Sequence, residues 1–322
     1  MKTTYDPKPE ILLLQRIADP GMERLEKHFN VVDIWDSPAP ERDVQSHAET
    51  ARGVLVGAQK GLTPAQVEQM HSLEIISLHG VGLDRVDIDH ARRRGLRIAY
   101  TPDVLTADVA DMGVGLMMST LRRLPQGHHF VKAGHWADGN QPPLTRSLTG
   151  KRLGILGLGR IGHAIATRAE AFGMEIAYTN RSPRKDLPYR YEPNLHRLAA
   201  WSDVLMVAAA SSPGMQALVD DSVLAALGSE GVLVNVGRGV LVDENALIAR
   251  LERDELLGAG LDVFANEPRI NNALLLLDNV ILSAHQASAT VETRNAMAVQ
   301  SVEHLIQHFS GAQPDHLATP EN

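Results

Sequence analysis

The chain of 322 residues has room for two domains of ordinary size, about 150 residues each. Its 44% hydrophobic and 22% charged residues are typical of a globular protein and exclude a disordered or low-complexity chain. Lysine and arginine number 31 against 39 aspartates and glutamates, a formal net charge of −8. This charge argues against a nucleic-acid partner, because that binding needs a cationic surface.

The sequence has no cysteine, which excludes disulfides, thiolate nucleophiles, thiolate zinc sites and iron–sulfur clusters. The first ten residues contain Asp6 and two prolines where a signal peptide has an apolar run, and no apolar run is long enough to span a membrane. His128, His129 and His135 do not have the spacing of a metal site. We therefore expect a cytoplasmic protein with neither a membrane partner nor a metal.

Short apolar runs alternate with amphipathic stretches along the chain. The runs predicted as buried strands cover residues 11–14, 31–34, 53–57, 75–78, 96–99, 153–157, 175–178, 204–208, 231–236, 258–261 and 280–282. The stretches with helical spacing cover residues 21–29, 64–70, 87–94, 104–124, 161–172, 220–227, 244–253 and 291–309. Because strand–helix–strand repetition is typical of parallel sheets, the sequence predicts an α/β fold with doubly wound parallel sheets.

One region, residues 125–149, separates the strands into two sets. It follows the predicted long helix, is rich in glycine, proline and histidine, and lacks strong periodicity. Eleven strands are too many for one open sheet of this kind, so we expect two sheets.

A glycine-rich loop follows the first strand of the second set. Gly157, Gly159 and Gly162 match G-x-G-x-x-G, with an apolar strand before them and an amphipathic helix after them. This context predicts a dinucleotide site: the glycines permit a tight turn and close approach of a pyrophosphate, and the helix N-terminus faces the anion. The loop residues assigned to the cofactor are Gly157, Leu158, Gly159, Arg160, Ile161 and Gly162.

The end of the next strand indicates which dinucleotide is preferred. NAD sites have an acidic residue there, whereas this chain has Asn180, Arg181 and Ser182. Arg181 can pair with a 2′-phosphate and Ser182 can donate a further hydrogen bond. The sequence therefore predicts a preference for NADP(H), with NAD(H) left possible, and assigns the neighbouring Arg184 and Lys185 to a solvated basic loop.

Three later segments each end a predicted strand with a chemically active side chain, namely Arg238, Glu267 and His285. Strand carboxyl ends line the ligand crevice of an open α/β sheet. An arginine there can bind a carboxylate and polarise the neighbouring carbonyl, and a histidine can move the proton on the reacting oxygen. A carboxylate orients the imidazole and stabilises its charged form.

These motifs resemble those of the D-isomer-specific 2-hydroxyacid dehydrogenase family, over nearly the whole chain. The resemblance is carried by the glycine loop, Val236-Gly-Arg238-Gly, Leu261-Asp-Val-Phe with Asn266-Glu-Pro, and His285 before Ala287-Ser288. Within the family, Gly80-Val-Gly-Leu-Asp-Arg-Val-Asp, the segment that begins Thr101-Pro-Asp-Val-Leu and Tyr178-Thr-Asn-Arg-Ser resemble the glyoxylate/hydroxypyruvate and hydroxyphenylpyruvate reductase branch.

The resemblance implies roles for particular residues. Arg238, Glu267 and His285 would form the catalytic triad, and the backbone amides around Val81 and Gly82 would share the substrate carboxylate with Arg238. Thr106, Val236 and Asp262 would contact the cofactor, the first and last of them near the nicotinamide. Trp136 matches a tryptophan that reaches the partner's active site in these reductases, which implies a homodimer.

The resemblance also implies the domain arrangement. A Rossmann cofactor domain, residues 102–286, would be inserted into a flavodoxin-like substrate domain, residues 1–101 plus 287–322, and the cleft would open between them. The implied function is the NADPH-dependent reduction of small 2-oxo acids such as glyoxylate and hydroxypyruvate to D-2-hydroxy acids.

Two alternatives stay open from the sequence. One is an NAD(P)-dependent dehydrogenase of the same fold acting on 2-ketogluconate, hydroxyphenylpyruvate, D-lactate or phosphoglycerate. The other is a dinucleotide-sensing, corepressor-like binding protein, which the complete Arg–Glu–His set argues against.

Overall fold

The computed structural model describes residues 8–211, 214–215 and 217–318. Residues 1–7, on which the expectation of no signal peptide partly rests, lie outside the described residues. Within the described ranges, none of the helices combines the length and the apolar character that crossing a bilayer requires.

The chain divides into two compact units, and the first is built from both ends of the chain. Unit 1 comprises Met1–Leu105 and Ala289–Asn322, and unit 2 comprises Thr106–Ser288. The boundaries expected from the sequence, after residues 101 and 286, differ from these by four and two residues.

The described part of the chain contains twelve strands and eleven α-helices. In chain order the strands are β1 (Glu10–Leu13), β2 (Asn30–Asp33), β3 (Ala51–Gly57), β4 (Ile75–His79), β5 (Arg97–Tyr100), β6 (Arg152–Leu156), β7 (Glu175–Thr179), β8 (Arg190–Tyr191), β9 (Val204–Val207), β10 (Val232–Asn235), β11 (Gly258–Leu261) and β12 (Val280–Leu282). The helices are α1 (Asp19–His28), α2 (Pro40–Ser46), α3 (Pro64–Gln69), α4 (Ile88–Arg93), α5 (Thr106–Arg122), α6 (Leu124–Lys132), α7 (Arg160–Ala171), α8 (Leu195–Trp201), α9 (Asp221–Leu227), α10 (Glu244–Glu252) and α11 (Val291–Phe309). Two short 3₁₀ helices cover Gly239–Leu241 and Asn272–Leu276.

Unit 1 is a five-stranded parallel sheet covered on both faces. Its strand order is β2-β1-β3-β4-β5. Successive side chains of a strand point to opposite faces, so Ile11 packs with α1 and α11 on one face while Leu12 packs with α2, α3 and α4 on the other. Both faces of the sheet are therefore buried, which explains why its strands read as continuous apolar runs rather than as alternating patterns.

Unit 2 is a seven-stranded parallel sheet in the order β12-β11-β10-β9-β6-β7-β8. Helices α8, α9 and α10 supply apolar residues to the core on one face, and α5 packs against α7, β10 and β11. The two parallel sheets confirm the predicted α/β class with doubly wound sheets.

The predicted long helix over 104–124 is shorter in the structure, and the region after it is not wholly irregular. Arg123 has a left-handed backbone (φ +49) that ends α5, and Pro125 stands in the first turn of α6. None of the residues of α6 is buried. Residues 125–149 were predicted to be irregular because of their glycine, proline and histidine content, and α6 was missed.

Three further short elements were not predicted. Helix α2 buries one residue, Val44, and β8 is a two-residue strand at the edge of its sheet. Helix α8 did carry a signal: the side chain of Asn194 caps it by accepting a hydrogen bond from the Arg197 amide at 3.0 Å.

Candidate active site

Three neighbouring strands of unit 2 bring Arg238, Glu267 and His285 to one edge of the sheet. Strands β10, β11 and β12 are adjacent and parallel, and each of the three side chains follows the carboxyl end of one of them. The fold therefore groups residues that lie as much as 47 positions apart in the sequence.

His285 and Glu267 form a close pair. His285 Nδ1 lies 2.6 Å from Glu267 Oε2, and the Phe264 amide donates to Glu267 Oε1 at 2.9 Å. Burial raises the pKa of Glu267. The hydrogen bonds from His285 and Phe264 and the charges of His285 and Arg238 lower it by more, so the pKa of Glu267 is below its ordinary value. Glu267 is thus a carboxylate at neutral pH and can hold the imidazole in one orientation.

The backbone at His285 is in the left-handed region, with φ +49. For a residue other than glycine this conformation costs on the order of 1–3 kcal/mol and needs support from its surroundings. The His285 amide donates to the carbonyl oxygen of Asp262 at 2.8 Å, which supplies part of that support.

The side chain of Asp262 fixes the segment that carries His285. Asp262 is 1% exposed, and its carboxylate accepts hydrogen bonds from Ser283 Oγ at 2.6 Å, the Gln286 amide at 2.9 Å and the Ala287 amide at 3.1 Å. The sequence assigned Asp262 to the cofactor and missed this positioning role, because its partners become visible only when β11 and β12 pair. Its cofactor contact stays a prediction.

The turn after β10 holds Arg238. Asn235 braces that turn from both ends: its Oδ1 accepts from the Gly237 amide and its Nδ2 donates to the Arg238 carbonyl, both at 3.0 Å. Arg238 Nη1 donates to the Gly237 carbonyl at 2.8 Å. The positive charge of Arg238 contributes to the lowered pKa of Glu267.

The glycine loop has the geometry that a dinucleotide site requires. Gly157 has φ +99, and a Cβ there would lie 2.6 Å from Ala209 Cα, while a Cβ on Gly162 would lie 2.1 Å from the Gly157 oxygen. A Cβ on Gly159, in contrast, would meet no described atom within 4 Å. The amides of Gly159, Ile161 and Gly162 donate to no other described residue. Open space over Gly159 and unpaired amides at the start of α7 fit a pyrophosphate.

Asn180 supports this loop directly. Its Oδ1 accepts a hydrogen bond from the Leu158 amide at 2.7 Å, so the residue at the end of β7 ties that strand to the glycine loop. Arg181 and Ser182 follow with exposed side chains. The structure therefore brings the predicted 2′-phosphate residues next to the loop.

Arg184 is partly exposed, as expected for a solvated loop, but it also makes specific contacts. Its guanidinium pairs with Asp186 at 2.6 Å and donates to the Leu158 carbonyl at 3.3 Å, and its amide donates to Tyr178 Oη at 2.7 Å. Arg184 thus braces the glycine loop from the opposite side to Asn180. Lys185 is exposed, as expected for the rest of that loop.

In unit 1, the loop after β4 presents two unpaired amides. The Gly80 amide donates to Thr101 Oγ1 at 3.0 Å, and the Thr101 amide donates back to the Gly80 oxygen at 2.9 Å. The amides of Val81 and Gly82, which follow, donate to no other described residue. Successive backbone amides without protein partners can bind an anion such as a carboxylate.

The remaining predicted site residues lie in different settings. Thr106 is the first residue of α5, and Val236 follows β10 and is 6% exposed. Trp136 lies beyond α6 and is 63% exposed, so within this chain its indole is largely without a packing partner. Among the described residues no group of histidines and carboxylates could hold a metal ion.

Comparisons with known proteins agree with this arrangement. Residues 114–287 match the family "D-isomer specific 2-hydroxyacid dehydrogenase, NAD binding domain". The chain is 45% identical over 303 residues to 2-ketogluconate reductase of Gluconobacter oxydans, covering 94% of this chain and 96% of that protein. It is also 45% identical over 287 residues to glyoxylate/hydroxypyruvate reductase A of Arabidopsis thaliana, covering 89% and 91%.

A solved structure shows the same fold. The NADPH-dependent glyoxylate/hydroxypyruvate reductase of Sinorhizobium meliloti, in complex with NADP and malonate, superimposes with a TM-score of 0.90 at 42% identity, covering 97% of this chain and 98% of that one.

Proposed function

The chain belongs to the D-isomer specific 2-hydroxyacid dehydrogenase family, and on that premise we propose that it uses NADPH to reduce small 2-oxo acids, glyoxylate and hydroxypyruvate first among them, to D-2-hydroxy acids. The observation that carries the proposal is the His285–Glu267 pair at 2.6 Å, at the same edge of the sheet as Arg238. The names of the Arabidopsis and Sinorhizobium relatives support these two substrates.

The proposed mechanism assigns a task to each of these residues. Arg238, together with the amides of Val81 and Gly82, binds the substrate carboxylate, and Arg238 also polarises the adjacent carbonyl. NADPH, when bound, supplies the hydride that the 2-oxo carbon accepts. His285 holds its Nδ1 proton against Glu267 and gives the proton on Nε2 to the carbonyl oxygen, which becomes the hydroxyl.

The test of this function is the oxidation of NADPH and NADH by the purified protein. The substrates are glyoxylate, hydroxypyruvate, hydroxyphenylpyruvate and 2-ketogluconate, each assayed with both nucleotides. We expect the highest kcat/KM with NADPH and glyoxylate or hydroxypyruvate. A preference for 2-ketogluconate, the substrate in the name of the Gluconobacter relative, would support the proposed reaction type and contradict the proposed substrates.

The corepressor-like alternative has a distinct outcome in the same assay. It predicts binding of the nucleotide without turnover of any of the four acids, and a change in affinity for a protein partner when the nucleotide is added.

A cytoplasmic location stays a prediction from the cysteine-free composition.

The cofactor preference rests on Arg181. Replacing Arg181 with alanine is expected to lower kcat/KM for NADPH by about tenfold or more, because a charge-assisted bond to the 2′-phosphate is lost, while kcat/KM for NADH stays within about twofold. Steady-state kinetics with both nucleotides measure this. Lys185→Ala, which removes an exposed cation from the same loop, is the matched control and should change neither value. Equal losses with both nucleotides, or a wild-type protein that prefers NADH, would contradict the assignment.

We also propose a homodimer in which Trp136 contributes to the partner's substrate site. The support is an exposed apolar surface on and around α6: Leu124, Val131, Trp136 and Leu144 are 49%, 54%, 63% and 99% exposed. Monomers rarely leave so many large apolar side chains in one stretch uncovered. Sedimentation equilibrium should give twice the 35.0 kDa chain mass, and a Trp136→Ala variant that stays dimeric should show a raised KM for the oxo acid. A monomeric protein with full activity would refute both statements.

A further inference from the structure

Helix α11 packs on strand β4 in an antiparallel register. Ser77 Oγ donates to the Ser301 carbonyl at 2.8 Å. Two residues further along the strand, His79 Nδ1 lies 3.4 Å from Ser301 Oγ, which itself donates to the Met297 carbonyl at 2.8 Å. His79 also contacts the backbone of Met297, one turn before Ser301. As the strand advances toward its carboxyl end, the helix therefore runs back toward its N-terminus.

This register places Arg294 at the level of the loop after β4. Arg294 lies three residues before Met297 and seven before Ser301, so it shares their face of the helix. At rises of about 1.5 Å per helical residue and about 3.3 Å per strand residue, one turn before Met297 corresponds to the two residues that follow His79. That loop contains Val81, one of the two residues with unpaired amides.

Arg294 is a partly buried cation on α11. Among the described residues its guanidinium has neither an ion pair nor a hydrogen bond. Burial lowers the pKa of Arg294, and burial together with the Arg294 charge lowers the pKa of His79 to about 4. His79 is therefore neutral at physiological pH, and the positive charge at this end of the unit resides on Arg294.

A partly buried cation that lacks a partner is costly unless an anion binds beside it. We propose that Arg294 and the free amides of Val81 and Gly82 form one anion-binding site within unit 1, in which Arg294 binds the substrate carboxylate and sets the affinity for 2-oxo acids. This inference rests on the proposed function, since it assumes that those amides take the carboxylate. It adds the side-chain cation of Arg294, on α11, to the two backbone amides.

The test compares Arg294→Gln and Arg294→Lys with the wild type. With hydroxypyruvate and NADPH, Arg294→Gln is expected to raise KM by about tenfold to a hundredfold and to change kcat by less than about threefold, because a charge-assisted hydrogen bond is lost from ground and transition states alike. Arg294→Lys keeps the charge and should recover most of that loss. The inhibition constant of malonate, a carboxylate probe, should rise in parallel in Arg294→Gln, while the dissociation constant of NADPH stays unchanged.

Arg24→Gln is the matched control. It removes another cation of unit 1, located on α1 and paired with Glu303 of α11, and should leave KM and malonate inhibition unchanged. A thermal melt first shows whether each variant is folded. If Arg294→Gln does not fold, Arg294→Met is used in its place. A folded variant whose KM and malonate inhibition stay within twofold of the wild type would overturn the inference, as would a lower kcat at unchanged KM. Absence of wild-type turnover on any 2-oxo acid would instead overturn the proposed function.

Discussion

Replacing His285 with glutamine is expected to lower kcat for hydroxypyruvate reduction by about 10² to 10⁴-fold and to leave KM near its wild-type value, because the substrate loses its proton donor but keeps its carboxylate contacts. Glutamine is the sharper choice than glycine, since it also carries a Cβ and pays the same backbone cost at φ +49. The loss then reports on the proton rather than on the conformation of the segment.

The measurement is the steady-state rate with NADPH, together with the solvent deuterium isotope effect on kcat. His196→Gln, which changes an exposed histidine of α8, is the control and should behave as the wild type. A His285→Gln enzyme whose kcat lies within tenfold of the wild type would remove His285 from the proton transfer and leave the fold and the cofactor loop unaffected.

The parts of this site that could be predicted are those whose chemistry lies in a short segment. Gly157, Gly159 and Gly162 are readable because a phosphate loop needs its strand, turn and helix in direct succession. Arg238, Glu267 and His285 are readable because each follows an apolar strand, and parallel strands bring their carboxyl ends to one edge. The structure adds the 2.6 Å contact between the last two.

The parts that could not be predicted depend on pairing between distant segments. The three donors to the Asp262 carboxylate lie 21 to 25 positions away in the sequence, and no local sequence pattern predicts these contacts. The brace from Arg184 to the Leu158 carbonyl is hidden in the same way, because a basic residue in a polar loop looks like any solvated cation. Arg294 gave no signal either, since a single arginine at the start of an amphipathic helix is ordinary.

Helix α6 was missed for a different reason. The glycine, proline and histidine content of residues 125–149 outweighed the apolar spacing of Leu124, Phe130 and Val131. Helix α6 buries none of its residues and was taken for part of an irregular region, although Pro125 at its first turn is a helix-start signal. The exposure of these apolar residues is the observation that supports an interface there.

The second large effect is expected at Arg238. Changing it to alanine should lower kcat/KM for hydroxypyruvate by at least about 10³-fold, roughly 4 kcal/mol of transition-state stabilisation. This loss is larger than the loss expected for Arg294→Gln, because Arg238 is assigned two tasks. It binds the carboxylate and also stabilises the charge that develops on the carbonyl oxygen. Arg238→Lys should recover only a small part, since an ammonium lacks the planar fork that reaches both groups.

The control for Arg238 is Arg253→Ala, which removes an exposed cation of unit 2 that pairs with Glu255 and should leave kcat/KM unchanged. The double variant of Arg238 and His285 separates one shared site from two independent ones. Because both residues act on the same carbonyl oxygen, the two losses should not add, and the double variant should be only slightly slower than the worse single variant. Fully additive losses would mean that Arg238 and His285 act at different points of the reaction, and an Arg238→Ala enzyme with wild-type kcat/KM would exclude Arg238 from the site altogether.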